Sequence, residues 1–194
     1  IYQDSLVSWA GEFLVKDGRA VIIPVYDGVW ERRDDLDTDT PNETIAYRDR
    51  VIRWYQDLGR SIDYLETRDD IDAGKLAYFG VSWGGRLGVL MTAVEPRFDA
   101  AVFYVAGLKF QRAQPEADPF HFVTRLAIPV LMLNGRHDMF FPVETSQKPM
   151  FQLLGTPDEH RRHVIAEGGH DVPRQLLIRE TLDWLDRYLG PVER

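Results

Sequence analysis

A serine set among glycines, at what reads as a strand-to-helix junction, constrains this chain more than any other feature. In Gly80-Val81-Ser82-Trp83-Gly84-Gly85, the preceding Lys75 to Phe79 reads as a buried strand and the following Arg86 to Val94 as a helix. A turn of that kind holds a nucleophilic hydroxyl clear of the backbone. Gly80 and Gly84 are expected to be required because a side chain at either would crowd the turn. Gly85 would let the helix lie close to the strand. Chance alone places a G-x-S-x-G string in about one chain in twenty of this length. Its weight comes from the strand before it, the helix after it, and an acid and a histidine further along.

The rest of the chain alternates in the same way. Leu6, Trp9, Ala10, Phe13 and Leu14 follow a helical period that Lys16-Asp17-Gly18 closes. Ala20 to Tyr26 is a continuous apolar run, as expected of a strand buried on both faces of a parallel sheet. A polar loop with Asp34, Asp35, Asp37 and Asp39 leads past Pro41 and Asn42 to a long helix from about Glu43 to Arg68. Strands are then expected at Leu76 to Val81, Ala100 to Ala106, Pro129 to Asn134 and Arg162 to Ala166. Helices are expected at Gly84 to Val94, Val143 to Leu154 and Pro173 to Leu189. This alternation predicts an α/β fold with a mostly parallel sheet flanked by helices. No repeat, linker or low-complexity tract breaks residues 1–194 into more than one domain.

Bulk properties narrow the function classes. A chain of 194 residues can bury about 70% of the surface that its unfolded form exposes. A net charge of −8 argues against nucleic acid or an anionic membrane as partner. The longest wholly apolar run, Ala100 to Leu108, is too short to span a bilayer. With no cysteine there is no disulfide framework, thiolate metal site or thiol nucleophile, and a cytoplasmic location is the expectation. The acidic loop lacks the ligand spacing and glycine of a calcium loop. His137, Asp138 and His170 lack metal-ligand spacing, so neither metal nor cofactor is expected.

In a parallel sheet, functional loops leave the carboxyl ends of the strands. Ser82, Asp138 and His170 each follow an expected strand, so three residues distant in sequence can converge on one edge. A serine hydroxyl needs a base to take its proton, and an imidazole titrating near ~6.5 suits that task. A carboxylate behind the ring fixes its tautomer and stabilises the cation. His137 and Asp171 compete with Asp138 for attention. Asp171 directly follows His170, so its side chain is expected to point elsewhere, and the reading favours Asp138. His121, His160 and His163 lie in polar or loop contexts where structural roles are expected. The long segment Gly107 to Arg125 is read as a wall or lid over an acyl pocket. Tyr26, Phe110, Phe120, Phe140 and Phe141 are the candidate pocket residues.

On these residues the chain resembles the α/β-hydrolase superfamily, and within it the prolyl-oligopeptidase and acylaminoacyl-peptidase branch, which includes many esterases. The matching stretches are Ile71 to Gly85, Ile128 to Pro142 and Glu167-Gly168-Gly169-His170. The resemblance implies Ser82 as nucleophile, His170 as general base, Asp138 as its orienting acid and the Trp83 backbone N–H as an oxyanion donor. That family places further strands, and the loop with the second oxyanion donor, ahead of the helix that opens this chain. Either more N-terminal sequence or a partner chain completes the domain, or the oxyanion hole is completed otherwise.

The resulting expectation is a serine hydrolase acting on a small-molecule ester, or a short peptide, through an acyl-enzyme. Two rivals stand beside it. One is a non-catalytic binding or regulatory domain on a hydrolase scaffold. The other is the C-terminal module of a larger peptidase or signalling protein.

Overall fold

The computed structural model describes residues 11–36 and 40–192. Its frame is a four-stranded, all-parallel sheet in the order β1-β2-β3-β4, formed by Ala77–Val81, Ala100–Tyr104, Val130–Gly135 and Arg161–Ala166. Strand order follows chain order, so each crossover moves one place along the sheet. The helices in chain order are α1 (Glu12–Lys16), α2 (Ile45–Glu66), α3 (Trp83–Val94), α4 (Lys148–Leu153) and α5 (Arg174–Leu189). Thr44 caps α2 by accepting the Tyr47 N–H, which supplies one of the acceptors that a helix start lacks.

β2 and β3 are buried at every position, which is why they read as apolar runs, broken only by Asn134 near the end of β3. Their side chains still divide by the two-residue strand period. Ala100, Val102, Tyr104, Leu131 and Leu133 pack with Phe13, Leu177, Trp184 and Leu185 beneath α1 and α5. Ala101, Phe103, Val130 and Met132 face the other way, against Val89 of α3 and Met150 of α4. On that second face α2 contributes Tyr47, Val51, Trp54, Leu58 and Ile62 against Leu87 and Met91 of α3. The sheet is therefore covered on both sides, as the alternation of strands and helices required. No helix among the described residues is long and apolar enough to cross a membrane.

One expected strand does not form. Ala20 to Tyr26 lies outside any β-ladder, and Val21, Ile22 and Ile23 are exposed by 38–40%. Apolar composition suggested burial, but a strand also needs a neighbour to take its N–H and C=O groups. No described strand lies alongside it. What fixes the end of the segment is α2: Asp57 accepts the Asp27 N–H at 2.7 Å, and Trp54 donates to the Asp27 carbonyl at 2.7 Å. The expected helical positions Leu6, Trp9 and Ala10 lie outside the described residues, as do Asp37 and Asp39 of the acidic loop. Gly18 closes α1 with φ +100°, the conformation a glycine tolerates.

Candidate active site

Ser82 stands at the tip of the turn from β1 into α3, with φ 53° and ψ −109°. A non-glycine residue in that region is strained by about 1–3 kcal/mol. The surrounding backbone holds it there: the Ser82 N–H donates to the Tyr104 carbonyl at the end of β2, 2.8 Å away. Two of the three glycines are sterically required: Gly80, expected for the turn, and Gly85, expected for the close approach of helix and strand. A Cβ on Gly80 would lie 2.5 Å from the Gly84 oxygen, and one on Gly85 would lie 2.7 Å from Ala106 Cβ. At Gly84 the nearest atom would be Tyr78 Oη at 4.0 Å, an ordinary contact. The crowding expected at Gly84 is therefore absent: no atom from elsewhere in the fold would come closer than 4.0 Å to a Cβ there.

Asp138 lies in the turn after β3, and His170 in the loop after β4. Gly135 makes their approach possible, since a Cβ there would sit 1.9 Å from the Gly169 oxygen. The two loops are joined by Arg136 N–H donating to Ala166 O at 2.8 Å and His137 N–H donating to Gly168 O at 2.9 Å. Across this junction His170 Nδ1 is 2.8 Å from Asp138 Oδ2, and His170 Nε2 is 2.7 Å from Ser82 Oγ. An ionised carboxylate only accepts, so the proton on Nδ1 points to Asp138 and Nε2 is left to accept from the serine hydroxyl. Asp138 is 2% exposed, and its other oxygen accepts the N–H groups of Phe140 (2.8 Å) and Phe141 (3.1 Å). The ring of His170 is held from both sides, with Phe140 edge-on at 4.9 Å and Phe141 stacked at 5.9 Å.

The competing groups are engaged elsewhere. His137 Nε2 faces Glu167 at 3.2 Å, and the Arg136 guanidinium beside Glu167 holds that carboxyl below the usual range. Asp171 accepts the Gly169 N–H at 3.1 Å within its own loop. Among the described residues no group of three or more acidic or histidine side chains could hold a metal ion.

Beside the serine lies a cavity of about 280 Å³ lined by Ser82, Trp83, Arg86, Lys109, Phe140, Phe141 and His170. Trp83 is the first residue of α3, so its backbone N–H has no acceptor within the helix. Its indole is held by Trp54 (4.7 Å) and Tyr26 (6.5 Å). Of the expected pocket residues, Phe140 and Phe141 are on the cavity wall, and Tyr26 supports Trp83 from behind without lining it. Phe110, 78% exposed, and Phe120, 45% exposed, do not line it. Phe120 instead packs under the Arg112 guanidinium, 4.6 Å away.

The segment that carries Phe110 and Phe120 is tied to the helices beside it and brings Lys109 to the cavity. Arg112 pairs with Asp118 at 2.6 Å, Gln114 bridges to Arg48 and the Glu43 carbonyl, and Ala113 and Ala117 are buried against α2 and α3.

Several residues that position the site escaped the sequence reading. Gln147 is fully buried and its amide donates to the carbonyls of Gly135 (2.9 Å) and Phe141 (2.7 Å), bracing the Asp138 turn. Arg86 enters the cavity from the second turn of α3. A signal for it existed: it is the only charged residue in the otherwise apolar and glycine-rich run from Trp83 to Val94. Gln147 gave none, because nothing in its local sequence shows what its amide would reach.

A serine, a histidine and a buried aspartate stand within hydrogen-bond distance of one another on loops at the carboxyl ends of parallel strands, in an α/β-hydrolase fold. The chain belongs to the dienelactone hydrolase family, which it matches over residues 10–170. It is 26% identical over 143 residues to an uncharacterized protein of Mycobacterium tuberculosis, covering 66% of this chain and 49% of that protein. It is 22% identical over 197 residues to the cutinase est2 of Thermobifida alba, covering 95% of this chain and 55% of the cutinase. The zinc-bound structure of a cold-adapted esterase from an Arctic intertidal metagenomic library shares the fold. That match has a TM-score of 0.60 at 20% identity, over 75% of this chain and 65% of the esterase. The chain spans about half the length of these two curated relatives.

Proposed function

We propose that this chain hydrolyses carboxylic esters by way of an acyl-enzyme on Ser82. The observation that carries the reading is the unbroken pair of contacts from Asp138 to His170 to Ser82, at 2.8 and 2.7 Å. His170 Nε2 takes the hydroxyl proton as Ser82 Oγ attacks the ester carbonyl. The same proton then passes to the departing alkoxide, and Asp138 stabilises the imidazolium in between. The Trp83 N–H supplies one hydrogen bond to the oxyanion that forms at the carbonyl. A water molecule repeats the sequence on the acyl-enzyme, with His170 again as base, and releases the acid.

The cutinase and esterase likenesses agree with ester over amide chemistry, which also asks less of the leaving group. Ser82→Ala should remove turnover of p-nitrophenyl butyrate and labelling by a fluorophosphonate while leaving the fold unchanged. Turnover equal to that of the unaltered chain would refute the assignment.

A further inference from the structure

Two strands separate Ser82 from the loop that carries His170. Ser82 follows β1 and His170 follows β4, the first and last strands of the described sheet. Neighbouring strands stand about 4.8 Å apart, so the ends of β1 and β4 lie ~14 Å from each other. The stitches between the β3 and β4 loops bring His170 to Asp138, on the far side of β2 from the serine. The loop of residues 167–173 has to lean back across the sheet before His170 Nε2 can stand 2.7 Å from Ser82 Oγ.

Tyr104 is placed to hold it there. It is the last residue of β2, the strand beside β1, and it is fully buried. Its backbone carbonyl accepts the Ser82 N–H at 2.8 Å, which extends the β1–β2 ladder into the nucleophile turn. Its hydroxyl oxygen accepts the Val172 N–H at 3.2 Å. Val172 lies two residues past His170 and is buried in the same cluster as Tyr104. One residue thus grips the serine turn through its main chain and the histidine loop through its side chain. Apolar packing alone would be served by phenylalanine; the hydroxyl adds the bond to the loop.

The end of β2 is also strained. Val105 follows Tyr104 with φ 47°, a conformation rarely open to a β-branched side chain, and it is buried. Such strain persists only where the surroundings over-determine it. Val105 N–H donates to the Leu133 carbonyl at 2.7 Å, and the Ala106 carbonyl accepts from the Asn134 amide at 2.8 Å. Both partners belong to β3, the strand that leads to Asp138. Residues 104–106 therefore meet the supports of Ser82, Asp138 and His170 together.

We propose that Tyr104 is a positioning residue for the reaction, its hydroxyl setting the reach of His170 toward Ser82. The proposal rests on the hydrolase reading and adds to it the group that holds the base against the nucleophile. Tyr104 does not line the cavity, so it acts through the loop and not on the substrate. Without its oxygen the loop relaxes toward β3, and the contact with Ser82 lengthens while that with Asp138 is kept.

Tyr104→Phe keeps the ring and removes the oxygen. With p-nitrophenyl butyrate it should lower kcat by about tenfold to a hundredfold and leave KM within about twofold, because a misplaced base slows the chemical step and not ground-state binding. An unchanged kcat overturns the proposal. In a His170→Ala background the base is gone, so the same substitution should lower the residual turnover by less than about twofold. A merely structural role lowers turnover by the same factor in both backgrounds, and that result overturns the proposal while the hydrolase reading stands. Full turnover in His170→Ala alone sinks the hydrolase reading, and the positioning role falls with it.

Amide hydrogen exchange decides the bond without any assay of turnover. The Val172 N–H should exchange slowly in the unaltered chain, and about tenfold or more faster in Tyr104→Phe while the amides of β2 and β3 keep their rates. Fast exchange at Val172 in the unaltered chain overturns the proposal, whether or not the variant folds.

Discussion

His163 stands on β4 with Nε2 3.1 Å from Asn134 Oδ1, its ring tilted against Phe151 at 5.3 Å. The Asn134 amide donates to the Ala106 carbonyl, so the oxygen is the group turned toward His163, and the ring meets it as a neutral donor. Burial, with a smaller contribution from Lys148, pushes this imidazole down to about 4 from 6.5. The folded state thus refuses a proton that the unfolded chain accepts. Stability is fully present above pH 6.5 and is lost as the pH falls from there toward about 4, where both states carry the proton.

The distance between those two values corresponds to roughly 3 kcal/mol, taken as an upper figure for a half-buried ring. Other groups titrate in the same range, so the comparison must be with a variant. His163→Gln keeps an N–H for Asn134 and removes the titration. Urea unfolding from about pH 7.5 to about pH 4 should show the unaltered chain losing roughly 2–3 kcal/mol relative to the variant. Two stability curves that stay parallel across this range would refute the argument that His163 is held neutral.

Further outcomes follow from the site and its turn. Asp138→Asn should lower kcat/KM for p-nitrophenyl butyrate by about a thousandfold or more, because the amide no longer fixes the imidazole tautomer. A loss below tenfold in steady-state assays would count against its role. Gly85→Ala should destabilise by about 1–3 kcal/mol in thermal unfolding, since its Cβ would press on Ala106 and Gly80. Gly84→Ala should be neutral or stabilising by up to about 1 kcal/mol, because alanine favours the helix and meets no close atom. The reverse order of those two would show that the turn is packed differently. Gln147→Leu should cost about 1–3 kcal/mol in urea unfolding by stranding the Phe141 carbonyl and leaving the Gly135 carbonyl only the longer bond from the Asp138 N–H, and a change under about 0.5 kcal/mol would refute that bracing role.

The parts of this molecule that could be read from residue order share a physical basis. β2 and β3 are buried on both faces, so their positions are apolar up to Asn134 near the end of β3 and the runs are visible. Ser82, Asp138 and His170 could be placed because strand ends are where a parallel sheet puts its loops. Ala20 to Tyr26 misled for a related reason: its composition reports a taste for burial, while forming a strand depends on a neighbour that composition does not name. Phe110 and Phe120 were placed in the pocket on size and proximity in sequence. The direction each takes is decided by contacts across the fold, such as the Arg112 guanidinium over Phe120. Gln147 reaches carbonyls six and twelve residues back, and Arg86 meets the Tyr47 hydroxyl on another helix; local sequence encodes neither contact directly.

Gly135 brings the turn after β3 against the loop after β4 so closely that no side chain fits between them. The spacing of the proton relay is consequently inherited from the pairing of β3 with β4 and from the stitches that continue it beyond their ends. The wall between Gly107 and Arg125 takes no part in that pairing. What it brings to the cavity is Lys109, so a change there alters what the cavity admits while the distances along which a proton travels stay as they are.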